Sequence, residues 1–370
     1  MRNNGPDRHG SNIIMKDRIY ICHTFYHVYI TVLKELNLPK EERGKASVIL
    51  STMSNDFGSL DVKLKNCGLF AEVMMFHEKE DVSVPEVMKY HTDRGNLILN
   101  LLQRIKYTRA LGRAQEEYIP TDLKQYKDIY VFCDSDPIGY YLNYKKIRYH
   151  AVEDGLDTIL YCDSARYSNI GHFGIKAFMA RLGLIFIENG YSRYCIDMEV
   201  NNLKDIKYKI SKYKEVPRKQ LTDNISETDR YYLTDIFMEN PGQLLAQIAE
   251  ADSDKKKVLI LSDPVCDIVT RKRIMRDIID EYGKGATVFI KPHPRDILDY
   301  DNEDFADCIV IKGRFPMEMM NYFPELHMDL AVSIFTTVDS IEFADEKCKL
   351  GADFMDKYED PKIHRENEQI

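Results

Sequence analysis

The sequence predicts an α/β protein of two doubly wound, Rossmann-like domains facing across a cleft. Three observations carry that prediction. The chain has 370 residues, and at roughly 150 residues per domain this leaves room for two medium domains. Short apolar runs alternate with amphipathic helical stretches, the pattern of parallel sheets built from strand-helix-strand units. The alternation breaks near residue 200 and restarts near residue 256, so each half builds a sheet of its own.

The first half opens on a strand from Arg18 to His23 (RIYICH), which leads into a helix from Phe25 to Leu36. Lys45 to Thr52 (KASVILST) is the second strand, followed by a Ser, Asn, Asp and Gly turn at 54–58, and Ala71 to Phe76 is the third. A long helix from Arg94 to Gln115 sets Leu97, Leu101, Ile105 and Leu111 near one face. Asp128 to Asp134 and Ile147 to Gly155 are further strands, each ending in carboxylates and turn residues. Residues 16–200 form the N-terminal domain, preceded by a disordered leader at 1–15 that lacks the apolar core and cleavage site of a secretory signal. Met15, just before the first strand, is a candidate start. Residues 201–255, rich in Lys, Asp, Asn and Tyr, read as linker helices with Pro217, Pro241 and a helix over Glu227 to Glu239. Then come a strand from Lys256 to Pro264, a helix from Thr270 to a Gly stop at Gly285, and strands at Ala286 to Pro294 and Ala306 to Gly313. A helix around Pro316 to Tyr322 and a strand from Asp329 to Thr337 complete a C-terminal domain of 256–370.

Composition narrows the function. With 44% hydrophobic and 30% charged residues the chain has the apolar surface for a packed core. Its 51 Lys and Arg against 60 Asp and Glu, a net charge of -9, disfavour a broad nucleic-acid surface. The longest apolar stretch, IYICHTFYHVYITVL, is fifteen residues with two His and two Thr, short of the roughly 20 a spanning helix needs. The 8 Cys are scattered with no CxxC pair, as in a chain of reduced cytosolic thiols. A cytoplasmic location follows, with peripheral contact at the inner membrane face and homodimer formation left open.

In open α/β sheets ligands bind beyond the carboxyl ends of the strands. In the second half those positions are Ser262-Asp263-Pro264, Lys291-Pro292-His293-Pro294-Arg295, Gly313-Arg314 and Thr336-Thr337. Cations and hydroxyls at these ends, with a helix starting after Thr337, describe an anion site. There is no Walker A and no GxGxxG sequence, which disfavours a P-loop NTPase or a dinucleotide dehydrogenase. The first half offers Glu153-Asp154-Gly155, a carboxylate pair beside a turn and a candidate general base; the same pair also suits a helix N-cap.

A Lys-Pro-His-Pro in the second half and Glu-Asp-Gly in the first resemble the HP and (D/E)(D/E)G motifs of bacterial sialyltransferases. ICHTFYHVYI, ILSDP, KPHPRD, FPME and SIFTT, in this order between Ile19 and Ala344, resemble glycosyltransferase family 52, the lipooligosaccharide sialyltransferases. That resemblance implies a GT-B fold and an inverting, metal-independent transfer from a CMP-activated sugar, typically CMP-sialic acid, to a glycan such as a terminal galactose of a lipooligosaccharide or capsule. No resident cofactor is implied, CMP-sialic acid being a co-substrate. Asp154 takes the place of the base and His293 that of the residue protonating or stabilising the leaving phosphate. Lys291 and Pro292 face the nucleotide, Glu318 grips the ribose hydroxyls, Thr336 and Thr337 replace a Ser-Ser/Thr phosphate pair, and Ser262 joins the nucleotide side. Phe335, just before the Thr pair, departs from the small or hydroxylated residue the resemblance leads one to expect there. His23, Thr24, His27 and Glu153 are acceptor-side candidates.

Other readings compete. His23 and His27 stand i, i+4, a formal metal pair with no third ligand visible, and Asp134-Ser135-Asp136 is the nearest match to a metal-binding DxD. Arg271, Lys272, Arg273 and Arg276 form a solvated helix face or meet an anionic membrane. A UDP-sugar, a CDP-alditol or a non-catalytic nucleotide-sugar-binding scaffold are the alternatives at the level of function.

Overall fold

The computed structural model describes residues 15–364 apart from 54, 133, 155–158, 160–161, 164–165, 205 and 252–253. Most of the leader expected at 1–15, Gly155 of the carboxylate motif and Cys133 lie outside these described residues.

Two parallel sheets dominate. The first has seven strands in the order β3-β2-β1-β4-β5-β6-β7: β1 (Lys16–Cys22), β2 (Ala46–Ser51), β3 (Phe70–Phe76), β4 (Tyr126–Val131), β5 (Tyr149–Val152), β6 (Cys195–Val200) and β7 (Tyr213–Glu215). The second has five in the order β10-β9-β8-β11-β12: β8 (Lys257–Leu261), β9 (Thr287–Lys291), β10 (Cys308–Val310), β11 (Met328–Ser333) and β12 (Ala344–Lys349). Every pairing is parallel, with Ile21 opposite Ile49 on one side and Val131 on the other, and Ile260 opposite Ile290 and Val332. Strand order reverses between β1 and β4 and again between β8 and β11. Those two switch points are where open parallel sheets leave a crevice at their carboxyl edge.

The connecting helices are α1 (Phe25–Leu36), α2 (Leu60–Asn66), α3 (Pro85–Met88), α4 (Leu97–Ala114), α5 (Pro137–Lys145) and α6 (Phe173–Arg181) in the first half. Then come α7 (Arg218–Asp223), α8 (Glu227–Phe237), α9 (Pro241–Glu250), α10 (Ile268–Tyr282), α11 (Gly351–Met355) and α12 (Pro361–His364). Helix α1 begins where Thr24, in extended backbone, accepts the amide of His27 on its side chain, a cap that satisfies one of the orphan donors of the first turn. Ten of its twelve residues are buried, and Glu35 inside it is held by Arg18 at 2.6 Å and by the Tyr20 hydroxyl at 2.8 Å.

The first sheet runs past residue 200, because β7 lies within the stretch expected to be linker. The rest of that stretch does not merely connect: Leu233, Ile236 and Phe237 of α8 and Leu244 and Ile248 of α9 join one buried cluster with Val48 and Leu50 of β2 and Leu259 and Phe289 of β8 and β9. The two halves are therefore packed against each other through a shared core. Tyr29 and Tyr322 add a hydroxyl pair at 2.9 Å between them. The helix expected around Pro316 to Tyr322 is a 3-10 segment, Met317–Tyr322.

Candidate functional site

The carboxyl edges of both sheets face one cleft of about 450 Å³. From the N-terminal half His23, Thr24, Tyr26 and His27 enter it at the β1–α1 junction, Asn55 beyond β2, Asp136 before α5 and Asp154 beyond β5. Opposite stand Ser262 after β8, Lys291 to Arg295 at the end of β9, Phe315 to Glu318, and Thr336 and Thr337 after β11. Of the residues singled out as catalytic, nucleotide-side or acceptor-side, the cleft gathers all but one; Asp263, Gly313 and Arg314 of the expected anion site do not line it, and neither does Glu153. That side chain is buried and spent on the backbone, accepting the Asn201 amide at 2.6 Å, while its carbonyl accepts from Arg218. It holds the chain beyond β6 and does not line the cleft where an acceptor-side role was expected of it.

Asp154 and His27 form the centre of the N-terminal wall. His27 is fully buried and its ring stacks on Phe132 at 4.7 Å between centroids. Its Nδ1 accepts the His23 amide at 3.0 Å, so the neutral ring carries its proton on Nε2, which faces and hydrogen-bonds Asp154 Oδ1. Asp154 is 39% exposed at the side chain and open to the cleft. A carboxylate oriented by a buried imidazole is a suitable base for a substrate hydroxyl. Thr24 is spent as the helix cap. His23 is buried beside Glu78 at 2.9 Å and Asp136 at 3.4 Å. Burial pushes its pKa down, but Glu78, Asp136 and Asp154 outweigh that and lift it to about 9.

His23, Glu78 and Asp136 also form the one trio among the described residues close enough to hold a metal ion, with ligand atoms within 4.8 Å of one another. Glu78 is already committed, to Ser51 at 2.8 Å and the Ile138 amide at 2.6 Å. A protonated His23 completes this trio as an internal ion-pair network. His27 faces Asp154 and takes no part in it, so the i, i+4 His pair does not converge. Asp134 is buried under Tyr149 at 2.9 Å, and burial raises its pKa to about 6; the DxD-like run points its two carboxylates to different partners.

The C-terminal wall gathers Lys291, His293, Arg295 and the hydroxyls of Ser262, Thr336 and Thr337. Lys291 is 4% exposed, and its Nζ donates only to carbonyls, Gly313 at 2.7 Å and Pro292 at 3.2 Å, while lying 4.3 Å from the centre of the Phe315 ring. Burial lowers its pKa to about 7. His293 Nδ1 accepts the Arg295 amide at 3.1 Å, leaving Nε2 as the proton-bearing atom of the neutral ring. Burial, with Arg295 next, lowers its pKa to about 4, so at neutral pH His293 is a neutral donor and not an imidazolium. Ser262 holds the turn: its hydroxyl donates to Asp296 at 2.6 Å and accepts the His293 amide at 3.0 Å. Glu318 is half-buried, accepts from Ser340 at 3.2 Å, and is raised by burial.

No helix follows Thr337. The chain instead loops to β12, and the amides of Ile334, Phe335 and Thr336 all point at the Asp263 carboxylate, at 3.1 to 3.2 Å. The Thr336 hydroxyl donates to the same carboxylate at 2.5 Å. Asp263 therefore occupies the donors that a helix N-terminus was expected to offer, and Thr337 presents the exposed hydroxyl of the pair. Tyr26 and Asn55 line the cleft without having been singled out; Arg295, Phe315 and Asp136 also line it, read from the sequence only within the strand-end, FPME and DxD-like runs. Arg295 follows the Lys-Pro-His-Pro run directly, and Tyr26 lies between the two histidines, so proximity to those motifs was the available signal.

Residues 88–349 match the family model described as glycosyltransferase family 52. Among solved structures the chain is similar to an α/β-galactoside α-2,3-sialyltransferase from Photobacterium phosphoreum, at 13% identity and TM-score 0.52 over 89% of each chain. It is also similar to a 2,6-sialyltransferase from a Photobacterium species, solved with the donor product CMP and the acceptor substrate lactose. That match has 10% identity and TM-score 0.55, covering 90% of this chain and 70% of that one. No curated protein matches. The fold is GT-B.

Proposed function

Because the chain belongs to glycosyltransferase family 52, we propose that this glycosyltransferase is a sialyltransferase that moves sialic acid from CMP-sialic acid to a terminal galactose hydroxyl of a surface glycan, with inversion and without a metal. The observation that carries this is the single cleft holding the Asp154–His27 pair on one wall and Lys291, His293, Glu318 and Thr337 on the other.

Asp154 takes the proton of the acceptor hydroxyl as that oxygen attacks the anomeric carbon, and His27 keeps its carboxylate aimed. The bond from that carbon to the CMP phosphate breaks, and charge grows on the phosphate oxygens. His293 Nε2–H and the Thr337 hydroxyl donate to them there, each such donor contributing about 2.7–4 kcal/mol to the transition state. Lys291 gains its proton as the anion arrives. Glu318 accepts from the two ribose hydroxyls. A nucleoside monophosphate leaves with less charge than a diphosphate, so side-chain donors suffice in place of a divalent ion. Seven described cysteines are free thiols, which fits work in the reducing cytoplasm.

A thermal-shift panel of CMP, CDP and UDP, followed by transfer from CMP-sialic acid to lactose with and without EDTA, tests the reading. Stabilisation by CMP above the other two and EDTA-insensitive transfer are expected. A stronger UDP or CDP response assigns another donor, and CMP binding with no turnover assigns a scaffold.

A further inference from the structure

We propose that Arg295 binds the carboxylate of the donor sugar and so selects a sugar acid of the 2-keto class over a neutral hexose. The inference rests on the donor reading above and deepens it. A nucleotide-activated neutral hexose has no anion on its sugar. CMP-sialic acid has one, a carboxylate bonded to the same anomeric carbon as the phosphate oxygen. Because both groups hang from one atom, a wall that grips the phosphate meets the carboxylate beside it.

Besides its histidines the cleft is lined by two basic side chains, Lys291 and Arg295. Lys291 lies deep, its Nζ held by the Gly313 and Pro292 carbonyls. Arg295 is exposed where it lines the cleft, on the same turn as His293. That turn is tight: the Asp296 amide donates to the His293 carbonyl at 2.8 Å, and the Arg295 amide to His293 Nδ1 at 3.1 Å. The imidazole that meets the phosphate and the guanidinium are thus projected from one fixed loop. After burial, Arg295 is the largest influence lowering the His293 pKa, as expected of a neighbouring cation.

The carboxylates around Arg295 are committed to other groups. Asp296, next in the chain, is fully buried at its side chain and taken by Arg271 at 2.7 Å, Ser262 at 2.6 Å and Tyr300 at 2.8 Å. Of the acidic residues lining the cleft, Asp136 faces His23, Asp154 faces His27 and Glu318 accepts from Ser340. None of the ion pairs among the described residues involves Arg295. Other cations are spent away from the cleft: Arg314 on the Asp56 carbonyl, Arg218 on that of Glu153, and Lys272 and Arg276 of α10 on Asp304. A guanidinium offers two parallel N–H groups in the plane of a carboxylate, a match an ammonium lacks. The carboxylate stays on the sugar as the phosphate leaves, so the pairing holds in ground and transition states alike and acts on donor binding more than on bond breaking.

Titration calorimetry compares CMP with CMP-3-fluorosialic acid, a donor analogue that resists transfer, on the full chain and on Arg295→Gln and Arg295→Lys. Arg295→Gln is expected to weaken the fluorinated donor by about 10- to 100-fold, the worth of a charge-assisted pair, and CMP by less than about threefold. Arg295→Lys, which keeps the charge and loses the fork, falls between the two. Retained CMP binding shows that each variant is folded. In transfer from CMP-sialic acid to lactose the loss appears in the donor KM, with kcat within about threefold of the parent. An equal loss for CMP and the fluorinated donor assigns Arg295 to the phosphate and overturns the proposal, as does no loss for either. A parent chain that binds neither ligand sinks the donor reading and this inference with it, a failure visible before any variant is made.

Discussion

Lys291 is a cation kept where the apo fold gains nothing from its charge. Its folded pKa of about 7 lies below the ordinary 10.5, so between those values the unfolded chain binds more protons than the folded one, and this residue's contribution to stability rises with pH across that window. At pH 7 and below the buried ammonium costs stability. Lys291→Met is therefore expected to raise the melting temperature of the free protein by about 1 °C, the shift roughly 1 kcal/mol produces when a chain of this length melts as one unit, while abolishing the CMP thermal shift. In the parent chain CMP affinity weakens as pH rises above about 7, because binding then requires proton uptake; titration calorimetry across pH 6 to 9 measures it. Lys291→Arg, always charged, flattens that dependence. The Asp154–His27 pair separates chemistry from binding. Asp154→Asn should lower kcat by about 10²–10⁴-fold with the CMP shift intact, and His27→Gln should move the acidic limb of the pH–rate profile, a readout that a purely structural role leaves in place.

At the scale of the element, legibility in the sequence followed local self-sufficiency. Helix α1 was legible to its ends because Thr24 caps it and its apolar face repeats at helical spacing. The strand β12, ADEKCK, was not: it carries four charged residues and lies at the sheet edge, where charge is tolerated and no alternation shows. The loop after Thr337 read as a helix start because hydroxyls followed a strand, yet the competing acceptor, Asp263, is seventy-three positions away from Thr336, beyond the reach of a local pattern. The α4–α5 crossing was likewise hidden until both helices were placed. There Gly112 approaches so closely that an added Cβ would lie 2.4 Å from the Tyr140 carbonyl oxygen. Gly112→Ala must spread the two helices, at a cost of about 1–3 kcal/mol, and chemical denaturation should show a lower midpoint with little change in slope.

Across the whole molecule, the positions of the site residues at strand ends were readable, since ligands gather at the carboxyl edge of any open parallel sheet. Their convergence into one cleft was not, because it depends on how the halves meet. That meeting has a large apolar part. The cluster running from β2 through α8 and α9 to β8 and β9 is continuous between the halves, and cutting the chain near residue 255 would expose Leu244, Ile248, Leu259 and Phe289 together. Domains joined by a small wet interface melt separately, whereas halves sharing a core lose it in one event. Calorimetry of the full chain is therefore expected to give a single transition whose calorimetric and van't Hoff enthalpies agree. Because CMP would be held mainly by the C-terminal wall, shared cooperativity has a further consequence. Ligand at about 100 times its Kd adds roughly 2.7 kcal/mol, and the whole transition moves up with it, including the signal of tyrosines confined to the first sheet. Two resolved transitions, with only the second one moved by CMP, would show instead that the halves fold independently and that the cleft is assembled by the ligand.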